Sequence, residues 1–222
     1  MVFMPDFNDA LLCRARSRSA TRFLLGTTCE VFLTIDGDIR FDTNDALKIC
    51  EHARDPNTPI VFGLYMKRQP GGAGPASILK ADVEYTFEAG QPLKEIEYGS
   101  TGFMAVNRCV FQKLSEGMTL LHKSAEVIRM FPFFQPMAHQ PSWINEEIYL
   151  SEDWSFCERA RQAGFPILLD QTVRLMHYGE YPYMHEDILA KVHKPTPMRI
   201  TRQSNGTHRV ETPDEEPMAI GP

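Results

Sequence analysis

The sequence has no excess of positive charge. Lysine and arginine number 23 against 29 acids, a formal net charge of −6. A nucleic-acid binder needs a basic face for the phosphate backbone, so that class is set aside. An anionic substrate would need local help, from a metal or a few placed cations. The five cysteines, Cys13, Cys29, Cys50, Cys109 and Cys157, contain no CxxC pair. Their odd count argues against a disulfide framework and predicts reduced, mostly buried thiols in a cytoplasmic protein. No apolar run approaches the roughly 18 residues that cross a bilayer. The N-terminal MVFMPDFNDA has two acids and no basic segment, so neither a membrane span nor a secretory leader is expected. In that setting the acceptor triplet Asn205-Gly206-Thr207 reads as accidental. Internal repeats are lacking as well.

What is present suits one globular domain. The 222 residues are 43% hydrophobic and 23% charged, enough apolar material for a sizeable core. Residues 9–25 predict a helix with Leu11, Leu12, Ala15, Phe23 and Leu24 sharing much of one face, stopped at Gly26. Val31-Phe32-Leu33-Thr34-Ile35 is too short for a helix and apolar on both faces, which predicts a buried parallel strand ending at Asp36. A helix over 44–53, capped by Thr43 or Asn44, and a strand over 60–65 continue the alternation. The order predicts an α/β fold with a mixed, mainly parallel sheet flanked by helices.

Further along, Gln69 to Pro75 is a glycine- and proline-rich loop. Residues 78–87 read as a strand or half a hairpin, 102–106 as a strand and 108–114 as a helix. Met130-Phe131-Pro132-Phe133-Phe134 is either a substrate-facing loop or core filling. A helix over 152–163, closed by Gly164, precedes strands over 167–169 and 173–177. Residues 1–194 form the predicted domain, and 195–222, rich in Pro, Thr, Arg and Glu, a flexible tail.

Four groups have the residue types for chemistry. Asp36-Gly37-Asp38 follows an apolar strand, where open α/β sheets bind ligands, and two carboxylates there suit a hard divalent cation opposite a diphosphate. Taken alone, Asp-Gly-Asp serves equally as a polar turn. Glu152-Asp153 opens a helix behind Ser151. The helix dipole favours acids there without any function, yet either carboxylate suits a general base. His177 at a strand end reads as a structural histidine or as a nitrogen ligand, which favours manganese over magnesium. Ser100-Thr101-Gly102 is small enough for close approach of backbone to a ligand, or simply for a turn.

In their order along the chain these pieces resemble nucleotide-sugar-dependent glycosyltransferases of the GT-A fold, near the bacterial and phage-type family 2 enzymes. The resemblance runs over residues 10–183. It rests on Ala15-Arg16-Ser17 in the first helix and on Phe32 to Phe41 around Asp36-Gly37-Asp38. Gly63-Leu64-Tyr65-Met66-Lys67-Arg68, Ser100-Thr101-Gly102-Phe103 with Val110-Phe111, Glu152-Asp153-Trp154-Ser155-Phe156 and His177-Tyr178-Gly179 complete it. It implies a sugar moved from a UDP- or GDP-linked donor to an acceptor hydroxyl with Mn2+ or Mg2+, with inversion. The acceptor, whether glycan, lipid or protein, is not named by it.

The resemblance implies Asp36, Asp38 and His177 at the metal, with Asp36 also near the ribose. Asp153 is implied as the base, with Glu152 assisting. Arg16 is implied to face the nucleotide, and Thr101 and Gly102 to line the donor-sugar pocket. Such enzymes begin with a strand, helix and strand that this chain lacks before its first helix. The expected fold is therefore N-terminally truncated, with an open sheet edge that invites a second copy or a partner chain. A non-catalytic nucleotide- or sugar-binding protein is the first alternative. A metal-dependent phosphoesterase is the second, since acids and a histidine at strand ends also suit metal-assisted hydrolysis.

Overall fold

The computed structural model describes residues 2, 4, 9–68, 74–122, 129–179, 182–184, 198–212 and 215–220. In chain order the elements begin with α1 (Leu12–Gly26), β1 (Val31–Ile35), β2 (Ile39–Arg40), α2 (Thr43–Arg54), β3 (Ile60–Gly63), β4 (Glu84–Phe87) and β5 (Lys94–Glu95). They continue with β6 (Phe103–Asn107), α3 (Arg108–Ser115), β7 (Leu121–His122), β8 (Arg129–Met130), β9 (Met137–His139), β10 (Ile148–Leu150) and α4 (Glu152–Gln162). The last are β11 (Leu168–Asp170), β12 (Met176–Tyr178), β13 (Pro182–Tyr183), β14 (Met198–Arg202), β15 (His208–Thr212) and β16 (Glu215–Ile220). The fold is mixed α/β, with several small sheets. No described helix is long and apolar enough to cross a membrane.

The central sheet has the order β1-β6-β3-β11-β5. The expectation of a mainly parallel sheet is corrected here: β3 and β11 are parallel, while β1/β6, β6/β3 and β11/β5 are antiparallel. β1 and β3 do run the same way, but β6 lies between them. Both faces of these strands are apolar because both are covered, not because of parallel pairing. Side chains alternate along each strand. Ile60, Phe62, Met104 and Val106 enter one core with Phe23 of α1, Phe111 of α3 and Phe156 of α4. Val61, Phe103 and Ala105 enter a second core with Ala46, Ile49 and Ala53 of α2 and with Val173 and Leu175.

The helices follow from local chemistry. Ala46, Ile49 and Ala53 recur at helical spacing and are the buried residues of α2. Its cap is Asp42, not Thr43 or Asn44: the Asp42 carboxylate accepts from the Asn44 N–H at 2.8 Å. α4 ends as its sequence predicts, with Gly164 at φ +91° and the Phe165 N–H returning to the Ala160 carbonyl at 3.0 Å. Arg108 binds the carbonyls of Phe23, Leu24, Thr27 and Cys29 and lies 4.5 Å over the Phe23 ring, which satisfies two of the orphan carbonyls at the end of α1.

The aromatic 130–134 stretch is core filling. Phe133 and Phe134 are fully buried, and Phe134 stacks on Phe156 at 4.7 Å. Of the 78–87 strand, only Glu84–Phe87 is regular. The cysteines are all free, but only Cys157 is buried and the other four are half-buried.

The C-terminal stretch departs from the flexible tail read from its composition. β14, β15 and β16 form antiparallel pairs, and β14 pairs with β4, so this sheet has the order β16-β15-β14-β4. Ile200 and Val210 are buried in the first core. Among the described residues these two widely spaced apolar side chains anchor the strands, which a composition average conceals. The Asn205-Gly206 pair is its turn, with Gly206 at φ +87°. Most of the Gln69–Pro75 loop and residues 195–197, 213–214 and 221–222 lie outside the described residues.

Candidate functional site

Asp36-Gly37-Asp38 is a tight turn joining β1 to β2. The Ile39 N–H donates to the Asp36 carbonyl at 3.1 Å, and the Asp36 N–H donates to the Gly102 carbonyl at 2.9 Å. The bland reading of this motif as a polar turn is therefore correct for its backbone. The carboxylates are engaged elsewhere. β12 pairs antiparallel with β2, setting His177 opposite Ile39, and the Tyr178 N–H donates to the Asp38 carbonyl at 2.7 Å. This pairing carries His177 across 139 positions of sequence to Asp38, with Nε2 3.5 Å from Oδ2.

The other ring nitrogen fixes the chemistry. His177 Nδ1 lies 2.8 Å from the Met66 carbonyl, which can only accept, so Nδ1 carries the hydrogen. In the neutral ring, Nε2 then presents an electron pair towards the Asp38 carboxylate. Two acceptors that face one another at 3.5 Å are reconciled by a proton on Nε2 or by a positive group between or beside them. Arg68 supplies part of that charge, with Nη1 3.1 Å from the same Oδ2. The Tyr65 ring holds the imidazole from the side, edge-on at 5.1 Å.

A second charged group adjoins the first. Arg16 of α1 donates from Nη2 to both oxygens of Asp36, at 3.1 and 2.9 Å, and from Nη1 to Glu152. Burial pulls the Arg16 pKa down. Asp36 and Glu152, with help from Asp153, outweigh burial and leave it raised. Asp153 is also raised, first by burial and also by Glu152, while bonds from Ser151 and the Trp154 N–H lower it in part. Both of those donors address Asp153 Oδ1, so Ser151 spends its hydroxyl on Asp153 and does not cap α4. Tyr65 lies between the two groups. Burial first, then Asp36 and Asp153, raise its pKa.

The predicted residues divide as follows. Arg16, Asp36 and Glu152 meet directly, with Asp153 in electrostatic reach. Asp38 and His177 meet directly. The expected metal trio does not form as a unit: Asp36 turns to Arg16, and the described residues contain no cluster of three His, Cys, Asp or Glu placed for a metal. Thr101 and Gly102, expected to line a pocket, are buried behind Tyr65, whose hydroxyl accepts from the Gly102 N–H at 3.2 Å. The Thr101 hydroxyl has no hydrogen-bond partner, although its carbonyl accepts from Thr34 at 2.8 Å. Tyr65 and Arg68 received no role from sequence. Their signal was their place in the Gly63-to-Arg68 motif that follows the second buried strand.

The fold and site thus define an α/β protein with a cluster of carboxylates, a histidine and arginines at its strand ends. No family model matches the chain, and no curated protein matches it. Among solved structures the chain is similar to the crystal structure of A197 from STIV. The two share 13% identity over 96% of this chain and 81% of that one, with a TM-score of 0.46. That degree of similarity assigns neither family nor activity.

Proposed function

We propose that the protein is a metal-dependent glycosyltransferase with a GT-A-like fold. It would move a sugar from a nucleotide diphosphate donor to an acceptor hydroxyl with inversion. The observation that carries this reading is the facing pair Asp38 and His177, held 3.5 Å apart beside Asp36 and the acids that open α4. The pair fits a divalent cation, because Mn2+ and Mg2+ need only one or two protein ligands when phosphates and water complete the shell. A cation held by Asp38 and His177 would supply positive charge opposite the departing diphosphate.

The chain's own residues would do the rest. Arg16 and Arg68 flank the carboxylates and would turn to the phosphate oxygens. The acceptor oxygen attacks the anomeric carbon, and the bond to the diphosphate breaks with its electron pair on the leaving oxygen. Asp153 takes the acceptor proton. Burial raises its affinity for that proton, and Oδ1 is already held by Ser151 and Trp154, leaving Oδ2 as the receiving atom. Glu152 keeps Arg16 in place.

The test is turnover of UDP- and GDP-sugars with Mn2+ or Mg2+, with calorimetry of the nucleotides. Asp38→Ala and His177→Ala should each abolish metal-dependent nucleotide binding, while Asp153→Asn should keep binding and lose turnover. Turnover equal to that of the wild type in all three variants would sink the assignment. A non-catalytic binding protein is the second reading, favoured by Arg16 and Arg68 already occupying Asp36 and Asp38. Nucleotide binding without turnover of any donor would select it. β1 pairs only with β6 among the described strands, so its open edge is the place we assign to a second copy or partner chain.

A further inference from the structure

A cavity of about 550 Å3, lined by none of the residues around Asp36, is bounded by α2, the end of β11 and the turn after β4. Lys48 and His52, one helical turn apart on α2, form one wall. Asp170 and Thr172 form the floor, and Arg174 and the 87–91 turn close the far side. That turn is tied down. The Gln171 side chain accepts from the Thr86 N–H at 2.8 Å and donates to the Pro92 carbonyl at 2.7 Å, and Arg174 Nη2 donates to the Phe87 carbonyl at 3.1 Å.

Asp170 is the unusual group. It is 1% exposed. Its Oδ1 accepts from the Thr172 N–H at 2.8 Å and from the Thr172 hydroxyl at 2.6 Å. Its Oδ2 is buried without a hydrogen bond, with His52 Nε2 at 3.5 Å. A buried carboxylate oxygen that lacks a donor costs on the order of 1–3 kcal/mol or more, so its retention at a cavity floor points to a donor brought by a ligand. Positive charge lines the same space. Lys48 Nζ donates to the Thr172 hydroxyl at 2.8 Å, and Arg174 adds a second fixed cation. Two acids face these cations. Asp45 lies 3.6 Å from Lys48 and accepts from the Arg174 N–H at 3.4 Å, and the exposed Glu88 accepts from Gln91 at 2.8 Å.

We propose that this cavity is a second binding site, for a small molecule carrying both an anionic group and hydroxyls, such as a sugar phosphate. The anionic group meets Lys48 and Arg174, and a hydroxyl donates to Asp170 Oδ2. The volume is within the range of small-molecule pockets. The site shares no residue with the charged cluster around Asp36 and does not rest on glycosyl transfer.

Calorimetry of the full chain with glucose 6-phosphate, glucose and inorganic phosphate tests it. Glucose 6-phosphate should bind about tenfold or more tighter than either fragment, about 1.4 kcal/mol. Lys48→Ala, at a half-buried lysine, should weaken both phosphate-bearing ligands about tenfold. Asp170→Asn should erase the advantage of glucose 6-phosphate over phosphate. If that variant does not fold, Lys48→Glu, which should abolish binding of both, decides. Asp38→Ala should leave all three affinities unchanged, which separates this site from the proposed catalytic one. Equal affinity for phosphate and glucose 6-phosphate, insensitivity to the Lys48 variants, or no binding at about 10 mM ligand overturns the proposal.

Discussion

Arg16 holds Asp36 through one guanidinium nitrogen that reaches both carboxylate oxygens, at 3.1 and 2.9 Å. The same side chain, 11% exposed, also binds Glu152, so it ties α1 to the end of β1 and to the start of α4. Removing it leaves two carboxylates facing one another. A fully buried pair broken this way costs about 3–5 kcal/mol, but Asp36 is 40% exposed and water screens part of the effect. Arg16→Ala should therefore lose about 2 kcal/mol in urea denaturation, and adding Glu152→Gln should recover part of it. An unchanged midpoint for Arg16→Ala would mean the bridge carries no stability.

Gly102 is where a side chain cannot be added. A Cβ there would stand 2.5 Å from the Tyr65 hydroxyl oxygen and 2.9 Å from its ring carbon. Gly102→Ala should cost about 1–3 kcal/mol through this overpacking and should displace the ring that braces His177. Tyr65→Phe in the same chain removes the closest atom, so the double variant should lose less than the sum of the two single changes. Strict additivity in a double-mutant cycle would show that the two residues do not press on each other.

The pH dependence of the proposed reaction should follow Asp153. Burial raises its pKa, so the limb on which kcat/KM rises with pH should lie above the ordinary carboxylate range. The Ser151 hydroxyl opposes that shift, and Ser151→Ala should move the limb further up. Asp153→Asn should remove about 10²–10⁴ of the rate. A pH profile unmoved by Ser151→Ala would take the base role from Asp153.

His208 gives a separate pH test, in the C-terminal hairpin. Burial, with Arg202 and Lys67 contributing, lowers its pKa from 6.5 to about 4. The folded state prefers the neutral ring. Stability is therefore full above pH 6.5, falls as pH drops towards 4, and levels off below, with a total loss of at most about 3 kcal/mol. Denaturant unfolding across this window should show the slope in the wild type and a flatter curve in His208→Gln. Parallel curves would assign the acid sensitivity to other groups.

The sequence determined the elements. Helical spacing in 43–54 and the acids that begin at Glu152 marked two helices, and short apolar runs marked β1, β3, β6 and β11, each within a few residues. Local propensity and burial pattern are properties of neighbours in the chain, so they are legible there. The resemblance also singled out Arg16, Asp36, Glu152, Asp38 and His177 before the contacts of Arg16 with Asp36 and Glu152, and of His177 with Asp38, were visible.

Only the tertiary structure decided strand direction, because two apolar faces report covering layers and not the sense of a neighbouring strand. Composition averages hid the C-terminal hairpin, whose anchors among the described residues are Ile200 and Val210. The partners of each carboxylate were likewise settled by pairing between distant segments. β12 on β2 gave Asp38 to His177, and α1 packed near α4 gave Glu152 to Arg16, which also reaches Asp36. Asp36 and Asp38 are two residues apart in the chain, yet the turn between them sends their side chains to different cations. A charge pair is fixed by distance in space, and no spacing along the chain encodes that distance.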